Sequence, residues 1–328
     1  MEKRVLSGIR ATGRLHLGNY LGAVKGMLAL QRDSEYETLY MIADLHTMTT
    51  PYDRKTLTSM AREVVMDYLS CGLDPEKSVV FVQSDVADLH AQLAFYLSTV
   101  VSVARMRHLP TFKDKVKQYP KHVTMALLNY PLLMAADILI YKASKVPVGI
   151  DQEPHLEVAR EVARKMNAQY GMDFPEPTRF VTEGEYVPSL MGEGKMSKSV
   201  EGSYITLTDD LATIKKRLAV APTDSGKGDK VPSTGGVANL LALIELFEGR
   251  KRRREYEEQY VTDGIQYKDL KDELAGAISR ELEPIQKRRK ELEADPKYVD
   301  QVIREGAEKA RLIARKTVAE VREKMGLG

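Results

Sequence analysis

Two lysines three positions apart, Lys195 and Lys198, stand in the stretch Gly194-Lys195-Met196-Ser197-Lys198-Ser199, interleaved with hydroxyls and led by a glycine. Ammonium groups at that spacing can converge on one polyanion, and the small residues between them let backbone N–H groups approach phosphate oxygens. A lone K-x-x-K is more often an ordinary solvated loop, so the weight of this one comes from a partner near the N-terminus. There, Gly13-Arg14-Leu15-His16-Leu17-Gly18-Asn19-Tyr20 places His16, Gly18 and Asn19 where a first strand turns into a first helix. A helix N-terminus at that point favours an anion.

The elements that must position these motifs read as strands alternating with helices. Val5–Ile9 is a short buried strand ending at Ala11-Thr12-Gly13, and Asn19 to Leu30 keeps helical spacing through Tyr20, Leu21, Val24, Met27 and Leu28. Thr38 to Ala43 and Ser78 to Gln83 are apolar runs of strand formers. Between them runs an amphipathic helix, Arg54 to Cys71, capped by Gly72 and followed by Pro75. Helices over Ala87–Ser102, Met125–Tyr141 and His155–Tyr170, with a short strand at Val146–Gly149, continue the alternation. The pattern predicts an α/β fold built on a doubly wound parallel sheet. Such sheets bind ligands at the carboxyl ends of their strands, where Ser7–Gly13, Asp44–His46 and Gln83–Ser84 fall. After Leu207 the chain turns charged and helical, apart from one open, Gly- and Pro-rich loop from Pro222 to Gly236. A boundary is expected near residue 205, with an α/β domain over 1–204 and an all-helical one over 205–328 whose last helix is a candidate to pack back on the first.

Composition narrows the setting. The 328 residues suffice for two domains, and a net charge of +2 means that a nucleic-acid partner must meet a local basic patch rather than a global field. The single cysteine, Cys71, excludes a disulfide framework and a cysteine-held metal or iron–sulfur cluster, and suits a reducing cytosol. No apolar run approaches ~20 residues, so no membrane span is expected, and the opening residues do not read as a signal peptide.

H-x-G-N after the first strand and K-M-S-K-S far downstream together resemble the signature of the class I aminoacyl-tRNA synthetases, with Asn19 standing where the commoner form of the first motif has a histidine. The chemistry implied is attack of an amino-acid carboxylate on the α-phosphate of ATP, with pyrophosphate leaving. Such a reaction needs positioning and charge stabilisation more than covalent help. His16 and Asn19 would donate to phosphate oxygens, Gly18 would admit a base or ribose, and Lys195 and Lys198 would neutralise the leaving pyrophosphate, aided by Mg²⁺.

Asp137 is the one carboxylate in the apolar segment Asn129–Tyr141. A buried ionised Asp must be paired or hydrogen-bonded. A salt bridge to a Lys, an Arg or a helix N-terminus would satisfy it; so would a donor on a mostly apolar ligand. Tyr130 and Met134 lie within two turns of it, on or near one face. An aromatic amino acid with one ring donor suits that environment, and both an indole N–H and a phenol O–H qualify.

The run Ser7–Ala23, the segment Y-P-L-L-M-A-A-D-I-L-I-Y, the stretch Pro147–His155, K-M-S-K-S, and C-terminal pieces at Gly236–Leu241 and Leu282–Ile285 together resemble the bacterial tryptophanyl-tRNA synthetases. The resemblance implies a homodimer that forms an adenylate from L-tryptophan and ATP and then charges tRNA(Trp), with a Rossmann-like catalytic domain followed by a helical anticodon-binding one. Carried over by position, Asp137, Ser7, Tyr130, Met134 and Gln152 would surround tryptophan. Arg10, Ala11, Thr12, Gly18, Asn19, Gly149, Ile150, Asp151, Val187, Lys195, Met196, Ser197, Lys198 and Ser199 would hold ATP. Lys113 would reach the phosphates and join His16, Asn19, Lys195 and Lys198 in catalysis. No resident metal is implied. Two motifs depart from the family pattern: Arg10 and Ala11 interrupt its usual G-I-Q-P-[ST]-G, and Ile150 replaces the acid of G-E-D-Q. Arg250–Arg254, flanked by Glu255, Glu257 and Glu258, reads as a solvated, partly paired helix face rather than a phosphate stripe. An adenylate-forming enzyme without tRNA is disfavoured by the helical C-terminal part, and a non-catalytic sensor by the intact His16, Asn19, Lys195 and Lys198.

Overall fold

The computed structural model describes residues 3–181, 186–198 and 200–328. Five strands, β1 (Lys3–Arg10), β2 (Tyr36–Ala43), β3 (Ser78–Val82), β4 (Lys145–Pro147) and β5 (Thr178–Phe180), form one sheet in the order β3-β2-β1-β4-β5. Every pairing is parallel, with Val5 opposite Thr38 on one side and Lys145 on the other. The order reverses between β1 and β4. A doubly wound sheet opens its binding crevice at that switch point, beyond the carboxyl ends of the strands, which here are Arg10 and Pro147. Side chains alternate along the strands as the pleat demands. Tyr40 and Ile42 enter one core while Leu39 and Met41 enter the other.

The first helix is not the single run its spacing predicts. It begins as a short turn, α1 (Leu17–Asn19), widens into a π-helical turn over Tyr20–Val24, and tightens into α2 (Lys25–Arg32). Then follow α3 (Asp44–Thr47), α4 (Leu57–Ser70), α5 (Ala87–Ser98), α6 (Val103–Arg107), α7 (Pro110–Gln118), α8 (Met125–Ile140) and α9 (Glu153–Tyr170). The helix expected to reach Ser102 stops at Ser98, because the Ser102 hydroxyl accepts from Arg105 N and starts α6 instead. Two elements carry no sequence signal strong enough to predict them: α7, which Pro110 opens, and the three-residue β5, set among prolines.

Beyond residue 205 lie α10 (Leu211–Ala219), α11 (Gly235–Val261), α12 (Tyr267–Ala294) and α13 (Pro296–Lys324). Leu240, Leu241, Ile244, Leu274 and Ile278 from these helices share a core with Leu15, Leu17 and Tyr20. The last helix returns to the sheet, placing Ala310, Ala314 and Val318 in the opposite core beside Leu39 and Phe81. Gly306 makes that approach possible: a Cβ there would lie 1.8 Å from the Val80 carbonyl oxygen. The helix thereby covers an edge strand that would otherwise be open to pairing. The Pro222–Gly236 loop is pinned rather than free, since Asp224 accepts from Tyr260 Oη at 2.6 Å and Tyr267 Oη at 2.5 Å.

One long-range tie joins the two motif regions. Leu17 N donates to Ile205 O at 2.8 Å and Leu207 N to Leu15 O at 3.2 Å, a short antiparallel bridge centred on His16 and Thr206. Leu15 N in turn donates to Asp67 Oδ2 at 2.5 Å, and Asp67, fully buried on α4, is ion-paired with Arg289 of α12. Arg289 also reaches Glu63 at 2.5 Å and Glu293 at 2.9 Å. Within the basic run Lys287–Lys290, therefore, one arginine is an internal strut. Arg252 and Arg253 form ion pairs with Glu245, Glu255, Glu257 and Glu273, the paired face that the surrounding glutamates suggest.

Replacing Arg289 by Leu would leave Asp67 buried and unpaired, a loss of about 3–5 kcal/mol. Denaturant unfolding should show a fall of that order, with part of it recovered in the Asp67→Asn/Arg289→Leu double variant. A change below about 1 kcal/mol would mean that the pair is not the strut inferred here.

Candidate active site

A cavity of about 590 Å³ opens at the switch point, within the size range of small-molecule sites. Ser7, Ile9 and Arg10 from β1, His46 from α3, Tyr130, Met134 and Asp137 from α8, and Gly149, Asp151 and Gln152 beyond β4 line it, together with Lys115 and Lys195. Ser7 is held in place by donating from Oγ to Pro147 O at 3.0 Å, across the β1–β4 gap.

Asp137 is 1% exposed. Its partners are neither lysine nor arginine. His46 Nε2 lies 2.7 Å from Oδ2, and Gln83 Nε2 and His90 Nδ1 lie 2.7 and 2.6 Å from Oδ1. A carboxylate only accepts, so both imidazoles donate to it, and His90 is left to receive Tyr141 Oη at Nε2, 2.7 Å away. Burial pushes the Asp137 carboxyl up, but the hydrogen bonds from His46 and His90 outweigh it and hold the group down at about 2. It is an ionised acceptor at neutral pH. Three donors leave it room for one more, on the side that faces the cavity.

A second network gathers Tyr130 and Gln152 around His155. Gln152 Oε1 accepts from His155 Nδ1 at 3.0 Å, which leaves the single lone pair of Nε2 facing the hydroxyls of Thr111 at 2.8 Å and Tyr130 at 2.9 Å, one of which donates to it. Burial pulls this imidazole down to about 4, so it stays neutral. The network fixes the Tyr130 and Gln152 side chains before any ligand arrives.

An adjoining cavity of about 400 Å³ is lined by His16, Gly18 and Asn19 on one side and Lys195, Met196 and Ser197 on the other. The two cavities share Ile9, Ala23, Val148, Gly149 and Lys195. His16 caps α1 with Asn19: His16 N donates to Asn19 Oδ1 at 3.2 Å. His16 Nδ1 is buried without a partner, and burial, reinforced by Lys198 and Lys195, lowers the imidazole to about 4. It is a neutral group with hydrogen-bonding capacity to spare. Gly18 is demanded by this ring, since a Cβ there would sit 2.9 Å from His16 Cε1 and 3.3 Å from Met196 Cβ. On the opposite wall, Met196 is 2% exposed and anchors its loop in the core, with Met196 N donating to Val187 O at 2.9 Å. Ser203 Oγ braces the loop by accepting from Ser197 N at 3.3 Å.

Not every expected residue reaches these cavities. Lys195 lines both, whereas Lys198 lies aside, its ammonium donating to Thr12 O at 3.0 Å. Ala11 and Val187 are buried in the core, Thr12 lies outside both linings, and Ile150 is 69% exposed, so its side chain plays no part in the walls. Lys113 is exposed and does not line the site; Lys115, two positions on and on the opposite side of α7, does. Ser199 falls outside the described residues. His46 and Gln83 fall in the segments that the sequence places at the carboxyl ends of strands, though without an assigned role, whereas His90, Lys115 and His155 were given no role in the site by the sequence.

The family described as tRNA synthetases class I (W and Y) matches residues 1–283. A tryptophan–tRNA ligase of Porphyromonas gingivalis is 42% identical over 328 residues, covering 98% of this chain and 98% of that protein. One from Helicobacter pylori is 41% identical over 331 residues, with 99% of each covered. Among solved structures, the Campylobacter jejuni tryptophanyl-tRNA synthetase complexed with ADP and tryptophan superposes with a TM-score of 0.84 at 33% identity, covering 98% of this chain and 99% of that one.

The His16 ring gives a direct check on the second cavity. Its folded-state proton affinity lies below the ordinary value of 6.5, so the unfolded chain binds the proton more readily, and stability from this group is lost as pH falls from about 6.5 towards 4. In an NMR titration the His16 imidazole should therefore titrate near pH 4, and pyrophosphate in the cavity should raise that midpoint. A midpoint at 6.5 that is indifferent to pyrophosphate would show the ring to be solvated and the cavity to have no anion site.

Proposed function

The chain belongs to the class I tRNA synthetases of the tryptophan and tyrosine branch, and from that membership and the paired cavities we infer that it is a tryptophan–tRNA ligase. It activates L-tryptophan with ATP and transfers the amino acid to the 3′ end of its tRNA. The observation that carries this reading is the union of two unlike cavities at Lys195: one apolar with an ionised Asp137 in its wall, the other framed by His16, Asn19 and the lysine loop.

In the first step an oxygen of the tryptophan carboxylate attacks the α-phosphorus of ATP. A new O–P bond forms, the bond from that phosphorus to the bridging oxygen breaks, and pyrophosphate leaves with the electron pair. The indole N–H takes the remaining acceptor position of Asp137, with Ser7, Met134, Tyr130 and Gln152 around the amino acid. His16 and Asn19 meet the phosphates, and Gly149 and Asp151 border the nucleotide. Lys195 stabilises charge on the departing pyrophosphate. Lys198, whose ammonium gives one of its three N–H donors to Thr12 O, has two left for phosphate oxygens. Lys115, rather than Lys113, is the lysine of α7 placed to assist. Mg²⁺ would supply further charge neutralisation as a companion of ATP. Among the described residues no cluster of three or more His, Cys, Asp or Glu could hold a metal. In the second step a terminal ribose hydroxyl of the tRNA attacks the acyl carbon, and AMP leaves.

Residues 1–204 serve as the catalytic domain in this reading, and the helices beyond read the anticodon, whose unpaired bases are recognised by stacking and edge hydrogen bonds. A homodimer is carried by the family resemblance, and Phe95, Val103 and Met125, each more than 60% exposed, are candidates for its interface. Among the described residues no helix is long and apolar enough to cross a membrane, and the cytoplasm is the expected compartment.

ATP–pyrophosphate exchange should proceed with tryptophan and not with tyrosine, and tRNA(Trp) should then be charged; exchange with tyrosine alone would reverse the specificity. Lys195→Ala should lower the activation rate about 10²–10³-fold with tryptophan affinity nearly unchanged. A large loss of tryptophan binding in that variant would instead place Lys195 in the ground-state complex.

A further inference from the structure

Arg10 enters the larger cavity from the end of β1 with most of its hydrogen-bonding capacity unspent. Nη2 donates to Thr50 Oγ1 at 2.9 Å and, more weakly, to Thr47 O at 3.4 Å, both neutral acceptors, while the buried Nε has no partner. The carboxylates lining the cavity do not neutralise it. Asp137 is taken up by His46 and His90, Asp151 accepts from Gln152, and no ion pair joins Arg10 to Asp114 among the described residues. Lys115, on the same cavity wall, adds a second cation whose proton affinity is lowered by burial first and by Arg10 second. Burial also lowers the affinity of Arg10 itself for its proton. A half-buried guanidinium without an anion is an unfavourable arrangement unless a ligand supplies one.

Position decides which anion. Arg10 lines the cavity that holds Asp137 and is absent from the lining of the one that holds His16 and Ser197. Its link to Asp137 runs through two consecutive residues of α3: His46 binds Asp137, and the Thr47 carbonyl receives Arg10. The cavity therefore has an acceptor pole and an anion-binding pole flanking one short helix. An amino acid with a ring N–H and an α-carboxylate bridges such a pair. We propose that Arg10 binds the α-carboxylate of the amino-acid substrate, its planar fork holding one oxygen while the other is presented to the α-phosphorus. This rests on the tryptophan-activating reading above and assigns Arg10 to the amino acid rather than to the nucleotide.

The test compares tryptophan with tryptamine, which keeps the indole and ammonium groups and lacks the carboxylate. Calorimetric titration of the full-length protein is run on the wild type and on Arg10→Gln, Arg10→Leu and Arg10→Lys, with melting temperatures to confirm folding. The Gln and Leu variants should lose about 10- to 100-fold in tryptophan affinity with tryptamine unchanged, and the Lys variant should keep most of the preference. Arg10→Gln retains a donor for Thr50 and so remains informative if Arg10→Leu misfolds. Tryptophan affinity unchanged while ATP weakens would overturn the proposal in favour of a phosphate contact. Equal losses for tryptophan and tryptamine would reduce Arg10 to a wall of the pocket. A wild type that binds neither would instead remove the tryptophan-activating reading itself, so the two failures are distinguishable.

Discussion

The bridge between residues 15–17 and 205–207 is the contact on which the rest of the site depends. The first motif follows β1 and the lysine loop comes far later in the chain, so chain entropy opposes their meeting. Two backbone hydrogen bonds and the interlocking of Leu15, Leu17, Ile205 and Leu207 in one core close that distance. Asp67 then fixes Leu15 from beneath, and Arg289 fixes Asp67 from α12. The helical C-terminal part is thus mechanically coupled to the turn that presents His16. Tyr20 strengthens the same coupling, since its hydroxyl donates to Glu281 of α12 at 2.8 Å from within the π-helical turn.

Asp67 and Asp137, both fully buried carboxylates, illustrate opposite uses of one physical problem. An ionised group deprived of water must find donors or give up its charge. Asp67 meets a guanidinium and a backbone amide, a closed set that serves the fold. Asp137 meets two imidazoles and an amide, three donors that leave one acceptor position facing a cavity. A charge left partly unsatisfied beside an open space is a binding site; a charge fully enclosed is a strut. Arg10 belongs with Asp137 on this criterion, and Arg289 with Asp67.

The departures from the family pattern differ in consequence for the same reason. Ile150, where the resemblance implies an acid, projects outward, 69% exposed, and is absent from the cavity walls. Arg10, where the resemblance implies a neutral amide, lines the cavity, and a charge there needs a partner. Chain position alone does not rank the two. Solvent exposure does.

Much of this was legible in the amino-acid order. Strand and helix alternation identified the parallel sheet because buried strands and amphipathic helices have different periods. The residue types at His16, Gly18, Asn19, Lys195 and Asp137 identified the chemistry because few side chains suit phosphate or a buried ring donor. Other features had no local signal. Lys113 and Lys115 differ only in which side of α7 they face, and that is fixed by how the helix packs. Lys198 rests on Thr12, Arg289 sits inside a run that looks like surface, and His46, Gln83 and His90 converge on Asp137 from three separate elements. The sequence by itself determined which groups are present and which local elements carry them, since those follow from short-range periodicity and residue chemistry. Only the tertiary structure decided which charges are enclosed and which are left facing a cavity, because burial and partner geometry arise from contacts between segments distant along the chain.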